Sequence, residues 1–406
     1  MKRFTLFVGI LCSIALCKNT IAQAIPKYSH VIFVLEENYS YSEIIGSTYA
    51  PTLTWLSKQS YTASFSQAFA IGHPSEPNYL ELFSGSNQGV TSDLSGPIGA
   101  PLNNCNLGSS LIQHGYTFIG YAEDQPTNCS PGSCLGWIAG DAGTSDYVTK
   151  HCPWINWIGY NTNPDTIPIA SDVPFNHYTA NGYTSGPIFP DSLGYDSLPT
   201  VSWVIPNESN DMHDPYTASI AIPNGDAWFK THMMPLVRWA VTHNSLVITI
   251  WDEDDGSASD NIPCLFSGAN IVGGTYSTPK FDHYDVLKTI EDMYSLTPLC
   301  GGSATGTDIT NVWVGISTIS GIKNEVTVWP VPAKEQLNLK VTSNINGNAV
   351  ISLQDVTGRI IKERNTTMKP GDNSFTFDTD GLSNGVYFVN VYGSGISLCK
   401  KVIIQN

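Results

Sequence analysis

Residues 246–256 read Leu-Val-Ile-Thr-Ile-Trp-Asp-Glu-Asp-Asp-Gly, six residues suited to a buried strand followed by four carboxylates and a glycine. A run that is apolar at nearly every position, rather than at every second one, describes a strand covered on both faces, as in parallel sheets. The pattern recurs along the chain. The run 30–35 ends at Glu36-Glu37-Asn38, 116–122 ends at Glu123-Asp124, and 200–205 ends at Pro206-Asn207, shortly before Asp211. A segment alternating like a strand lies at 61–70 and a further apolar run at 262–267, while helical patterns occupy 50–59, 77–84, 107–114, 224–243 and 283–295. A kink is expected at Pro235. Strands alternating with helices predict an α/β fold, a parallel-rich sheet with helices on both faces.

Ligands of such sheets bind beyond the carboxyl ends of the strands, and here those ends carry Glu37, Asn38, Glu123, Asp124, Asp211 and Asp252 to Asp255. Carboxylates gathered from several segments repel one another as water is excluded, so they either raise their pKa values or hold a cation. We expect the cation. Taken alone, residues 252–255 read as a solvated acidic loop.

The N-terminus joins a short basic head to an apolar stretch too short to span a bilayer and a small-x-small ending at Ala22-Gln23-Ala24. This is the pattern of a Sec signal peptide, with cleavage expected after Ala24, and no other stretch has the length of a transmembrane helix. Cys12 and Cys17 would leave with it. Cys105, Cys129, Cys134 and Cys152 cluster in a loop-rich stretch, where one or two disulfides of open connectivity are expected in an oxidising compartment. Cys264, Cys300 and Cys399 are either buried thiols or further pairs. The formal charge of −16 argues against nucleic acid and anionic membranes as partners, and an acidic protein handling an anionic substrate needs metal ions to do so.

The stretch 72–85 places Ser75 where a helix N-cap belongs, Pro77 in the first turn and Gly85 where the helix stops. A capping serine is the plain reading. A hydroxyl at a helix start beside a metal cluster is also where a phosphoryl nucleophile gains most, because the helix N-terminus favours an incoming anion and a metal lowers the hydroxyl pKa.

Six blocks, Val34 to Tyr41, His73 to Tyr79, Asn210 to Asp214, Gly225 to Trp228, Trp251 to Gly256 and His283 to Asp292, together resemble the phosphoesterase family of bacterial acid phosphatases and phospholipase C-like enzymes, which has the alkaline-phosphatase-like fold. The resemblance implies a metal site built from Glu37, Asn38, Asp252 and Glu253, with one or more divalent ions of open identity. It implies Ser75 as nucleophile and Asn78 as a phosphate-holding residue. His73, Asp211, His213 and His283 would be further site residues: Asp211 a metal ligand, His73 a substrate contact, His213 and His283 proton donors. A phosphoserine intermediate follows from these roles, and the substrate would be a small-molecule or lipid head-group phosphate monoester.

Beyond residue 298 the texture changes. Residues 299–325 are rich in Gly, Ser and Thr and read as a linker, and 326–406 hold short alternating segments separated by turns, the pattern of a small β-sandwich. Trp329 to Ala333, Asp355 to Arg359, Gly385 to Val389 and Lys400 to Ile404 resemble the C-terminal sorting domain of the type IX secretion system, although Val331 stands where that domain usually has Asn. The resemblance implies that the type IX machinery is a partner and that the protein is secreted, to the outer surface or beyond. The resulting organisation is a signal peptide at 1–24, a catalytic domain at 25–298, a linker at 299–325 and a sorting domain at 326–406. Two other readings compete: a phospholipase C-like phosphodiesterase, and a non-catalytic surface protein whose metal is structural. The tail could also be a polymer-binding module.

Overall fold

The computed structural model describes residues 25–94, 98, 101–125, 146–159, 163–176, 189–257, 259–297, 300–313, 325–343, 347–393 and 396–405. The expected signal peptide, with Cys12 and Cys17, and the cysteines Cys129 and Cys134 lie outside them. None of the described helices is long and apolar enough to cross a membrane.

The first part of the chain forms β1 (His30–Glu36), α1 (Tyr41–Ile44), α2 (Pro51–Leu56), β2 (Thr62–Phe69), α3 (Ser75–Ser84), α4 (Leu107–Gln113), β3 (Phe118–Ala122) and β4 (Asp172–Pro174). It continues with β5 (Val201–Ile205), α5 (Ala218–Thr242), β6 (Ser245–Trp251), β7 (Asn261–Gly268), β8 (Gly274–Tyr276), β9 (Phe281–Asp282) and α6 (His283–Met293). These strands make one sheet in the order β4-β3-β5-β1-β6-β7-β2-β8, with β9 also paired to β2. From β4 to β6 all neighbours are parallel. β7 runs antiparallel to both β6 and β2, so the sheet is mixed rather than wholly parallel. Residues 252–260, which join β6 to β7, are too few for the crossover that a parallel return requires.

Every residue of β6 is buried because helices cover both faces of the sheet. His30 of β1 meets Trp239 of α5, with ring centroids 5.7 Å apart. Phe33 points the other way, since strand side chains alternate, and meets Trp203, which in turn packs against Phe83 of α3. Helix α5 begins six residues before the expected start and runs through both Pro223 and Pro235. Its Asp226 accepts from the backbone N–H groups of Thr52 and Leu53, at 3.0 and 2.9 Å, and so caps α2 from a distant part of the chain.

The expected linker is shorter than the composition suggests. Cys300 forms a disulfide with Cys105, and Ile309, Val312 and Trp313 are buried in the same core as the sheet. The glycines here serve close packing. A β-carbon on Gly301 would lie 2.3 Å from the carbonyl oxygen of Gly85, and one on Gly302 would lie 2.7 Å from the Tyr284 ring. Cys105 therefore pairs outside its own cluster, and Cys152 and Cys264 are buried unpaired thiols while Cys399 is exposed and unpaired.

The tail comprises β10 (Glu325–Trp329), β11 (Gln336–Ser343), β12 (Gly347–Asp355), β13 (Ile360–Met368), β14 (Gly371–Asp378), β15 (Gly385–Gly393) and β16 (Ile396–Ile404). They pair antiparallel in two sheets, β10-β11-β14 and β13-β12-β15-β16, around a core of their own that includes Leu339, Ile351, Val389 and Val402. The expected β-sandwich is present. Tyr392 leaves that core and packs on Tyr61, with centroids 6.2 Å apart.

Candidate active site

Parallel pairing of β1 with β6 sets Glu36 opposite Trp251, so the two strands deliver Glu37-Asn38 and Asp252-Glu253 side by side. Two backbone bonds fix the register beyond the strands: Asp252 N–H donates to Glu36 O at 3.1 Å, and Glu37 N–H to Asp211 O at 2.8 Å. Asn38 turns out of β1 with φ of 57°, a left-handed conformation that asparagine tolerates better than most residues. Met212, with φ of 80°, turns the Asp211 loop, and Gly225 makes room for it, since a β-carbon there would lie 2.4 Å from Met212 Cγ.

Ser75 is the first residue of α3 rather than its cap, which is Pro74. Its hydroxyl is drawn away from the helix and faces Glu37 Oε2 at 3.1 Å and Glu253 Oε1 at 2.9 Å. The Asn38 carboxamide reaches the same two oxygens, its nitrogen 3.1 Å from Glu37 Oε2 and 3.0 Å from Glu253 Oε1 when oriented as a donor. Tyr79 donates to the other Glu37 oxygen at 2.7 Å. One turn of α3 thus reaches Glu37 twice.

The site is a buried concentration of acid. Burial and the neighbouring Glu253 push Asp252 up to about 8. Burial followed by Asp252 and Asp211 raises Glu37 well above the carboxylate range, and Asp211 and Glu253 are raised chiefly by burial. Asp252 Oδ2 and Asp211 Oδ2 are buried with no hydrogen bond among the described residues. Ser75 Oγ and the Asn38 carboxamide each stand 2.9–3.1 Å from Glu37 Oε2 and Glu253 Oε1, the spacing of ligands at about 2.1 Å and right angles around a small divalent cation. These four residues suit a cation with the Asn38 amide turned to offer its oxygen, whereas the carboxylate and histidine groups among the described residues whose ligand atoms all lie within 4.8 Å of one another are His73-Asp254-Asp260 and Glu208-His213-Asp214. Of the rest of the acidic run, Asp254 accepts from Gly256 N–H and from the hydroxyls of Ser257 and Ser259, and Asp255 is exposed.

His151 was not expected here. A 3₁₀ turn at Thr149–His151 inserts it, fully buried, with Nε2 3.0 Å from Glu37 Oε1 and Nδ1 3.3 Å from Asp211 Oδ2. Neither approach has hydrogen-bonding geometry, and burial, then Lys150 and His213, hold the ring neutral by lowering its pKa well below the usual value. The only sequence signal was an isolated Lys-His pair in a cysteine-rich loop, without the strand-end context that marked the carboxylates. Tyr79 was in view, as part of the helix after Ser75, without a role.

The other expected residues divide. His73 bonds Glu253 Oε2 through Nδ1 at 2.7 Å, and its Nε2 lies 3.2 Å from Asp254 and 3.1 Å from Asp260. Burial opposes its charge, yet Glu253, Asp260 and Asp254 raise its pKa. His73 lines a cleft of about 200 Å³ with Asn78, Glu81 and Thr91, which does not include Ser75. His213 is half-buried at the rim, beside Asp214 and 6.3 Å from His151 between ring centroids. Two expectations need correction. Asn78 directs its amide inward: Oδ1 accepts from Ile71 and Gly72 N–H, and Nδ2 donates to Gly72 and Pro74 carbonyls, so it holds the 71–74 loop rather than a phosphate. His283 is fully buried at the start of α6, donates Nε2–H to Trp251 O at 3.1 Å, and is held neutral by burial with a pKa of about 4. It braces the end of β6 and has no path to a leaving group. Glu123, at the end of β3, is likewise spent on Trp228, Asn207 and Asn210.

A mixed sheet whose strand ends converge on a buried serine and carboxylates is the arrangement of a phosphoester hydrolase. Residues 48–297 match the model of the phosphoesterase family, and the chain belongs to that family. A phosphatidylinositol-3-phosphatase of Mycobacterium tuberculosis is 42% identical over 296 residues, covering 72% of this chain and 85% of that protein. A probable acid phosphatase of Kluyveromyces lactis is 26% identical over 280 residues, 67% of this chain and 59% of that protein. Among solved structures, a protein in the alkaline phosphatase superfamily from Vibrio parahaemolyticus covers 89% of this chain and 82% of its own at 13% identity, with a TM-score of 0.48. Residues 327–405 match a secretion system C-terminal sorting domain, the type IX signal for secretion.

Proposed function

We propose that the protein is an exported, metal-dependent phosphomonoesterase that works through a phosphoserine at Ser75. The observation that carries this reading is the Ser75 hydroxyl at the start of α3, facing Glu37 and Glu253 instead of capping its helix. A divalent cation held by Glu37, Asn38, Asp252 and Glu253, with Asp211 beside them, would supply Lewis acidity to the serine hydroxyl and to the phosphoryl oxygens. Ser75 Oγ attacks phosphorus in line. The Oγ–P bond forms as the bond from phosphorus to the leaving alkoxide breaks, and the hydroxyl proton passes to the Glu253 carboxylate, 2.9 Å away. His213, at the rim, protonates the alkoxide. Water then cleaves the Oγ–P bond to release phosphate and restore Ser75. Tyr79, which donates to Glu37 Oε1, holds Glu37 in place throughout, with His151 stacked behind the Tyr79 ring.

The relatives named for acid phosphatase and phosphatidylinositol-3-phosphatase activity support a monoester, either small and soluble or a lipid head group. Sec export through the N-terminal signal and type IX passage through the tail would bring the enzyme to the cell surface or the medium.

The test is phosphate release from paired chromogenic mono- and diester substrates by the wild type, by Ser75→Ala and by a chelator-treated sample, with acid quenching to trap labelled serine. Monoester hydrolysis lost in both treated samples, with label on Ser75, is the expected result. A diester preference would move the assignment to a phospholipase C-like enzyme. Inertness toward both esters across divalent metals would leave a structural or binding site.

A further inference from the structure

Lys150 precedes His151 in the same 3₁₀ turn and is covered on most sides, its side chain 14% exposed. Its Nζ lies 3.1 Å from Asp93 Oδ2 and 4.0 Å from Glu208 Oε1. The other Asp93 oxygen accepts from the backbone N–H of Glu76 at 3.0 Å. One carboxylate therefore ties the ammonium to the peptide that follows the nucleophile. Burial opposes the charge on Lys150, but Glu37, Asp93 and Glu208 outweigh it and hold the pKa above the usual lysine value. The positive charge is also felt at Glu37 and Asp211. The other lysine and arginine ion pairs among the described residues, at Lys288, Lys340 and Arg359, belong to α6 and to the tail.

We propose that Lys150 is a specificity-determining residue that reads the charge of the phosphoryl group, favouring the dianion of a monoester over the monoanion of a diester; this rests on the phosphomonoesterase reading. The chemistry is direct. An ammonium has three donors, and among the described residues one is engaged, on Asp93, while the approach to Glu208 is too long for a hydrogen bond. Asp93 holds the ammonium one carboxylate away from the Glu76 peptide, next in the chain to Ser75, and the remaining donors are the ones a non-bridging phosphoryl oxygen at Ser75 would draw on. A monoester presents two negative charges there, and a diester carries one charge and an ester group where the second would be. In a protein of net charge −16, a fixed cation tied through Asp93 to the peptide after Ser75 is also what offsets the repulsion a dianion meets on entry.

The experiment compares kcat/KM for p-nitrophenyl phosphate and bis-p-nitrophenyl phosphate in the full chain, for the wild type, Lys150→Gln and Lys150→Arg. Glutamine keeps a donor for Asp93 and loses the charge; arginine keeps both. The expected result is a monoester loss in Lys150→Gln on the order of 10–100-fold, a diester loss several-fold smaller, and substantial recovery in Lys150→Arg. Equal losses on both esters, or no loss, would overturn the proposal. A second measurement needs no variant. Inorganic phosphate should bind the wild type at least about tenfold more tightly than dimethyl phosphate by calorimetry, and equal affinities would also overturn it. If neither ester is hydrolysed, the phosphomonoesterase reading fails, and the calorimetric comparison still decides whether the site reads charge.

Discussion

The imidazole of His151 lies parallel to the ring of Tyr79, with centroids 5.0 Å apart and an interplanar angle of 12°. Both rings end on Glu37 Oε1, His151 through Nε2 at 3.0 Å and Tyr79 through its hydroxyl at 2.7 Å. The stacked pair is a buttress behind the carboxylate that faces Ser75. Removing an outer support of a metal-binding carboxylate typically costs about 10–100-fold in metal affinity or activity. We predict losses in that range for His151→Ala and about tenfold for Tyr79→Phe, read as kcat and as the divalent-cation concentration giving half-maximal rate. A half-maximal metal concentration unchanged in both variants would remove Glu37 from the ligand set.

Asp252 supplies a pH prediction. Its folded pKa is raised from 3.8 to about 8, so without metal the folded state holds a proton that the unfolded chain releases in the acid range. Stability from this group is then present below the unfolded value and lost as pH rises toward 8. Chelator-treated protein should therefore show a Tm that falls between about pH 5 and 8, and added divalent cation should raise Tm more at pH 8 than at pH 5. An equal metal-induced rise at both values would show that protons and cation do not compete at these carboxylates.

Gly85 closes α3 with φ of 68°, and a β-carbon there would lie 2.0 Å from the carbonyl oxygen of Cys300. The obstacle is backbone, held in place by the Cys105 disulfide and by Glu291, which accepts from Cys300 N–H at 3.0 Å. Gly85→Ala should destabilise the domain by about 2 kcal/mol or more, from the positive φ and the clash together. Cys105→Ser should also lower Tm, because the bond spans 195 residues and a loop of that length contributes about 5 kcal/mol in the chain-entropy model. Denaturant midpoints of the two variants, against wild type with and without reductant, measure both.

The tail has its own core, and the catalytic core extends to Trp313. A chain ending after residue 313 should keep the wild-type kcat, whereas one ending at 298 should not fold stably, since it lacks Cys300, Ile309, Val312 and Trp313. Loss of activity in the longer truncation would mean that the contact of Tyr392 with Tyr61 supports the catalytic domain.

What could be read from the sequence followed from local pattern. Unbroken apolar runs with polar ends gave β1, β3, β5 and β6, and a serine before a prolyl first turn placed the start of α3 to within one residue. What could not be read depends on distance. Strand direction is not written in composition, so 262–267 gave no sign that β7 reverses, although the short 252–260 connection carried that information. Gly301 and Gly302 looked like linker because a glycine needed for backbone contact and one needed for looseness are the same letter. Asn78 and His283 are residue types that bind phosphate and move protons, and here the Asn78 amide is consumed by loop 71–74 while His283 commits Nε2 to Trp251 O and leaves Nδ1 buried without a partner among the described residues. His151 arrives from a 3₁₀ turn with no periodicity to announce it.

The Cys105–Cys300 bond also sets a time for the enzyme. Thiols stay reduced in a cytosol and pair in oxidising compartments outside it. The peptide after Cys300 rests on Gly85, and Gly85 ends the helix that begins with Ser75, so the support of Ser75 is incomplete wherever these thiols stay reduced. A phosphoesterase assembled this way reaches its tightest form only in an oxidising compartment, and any copy that keeps its thiols reduced is the looser one.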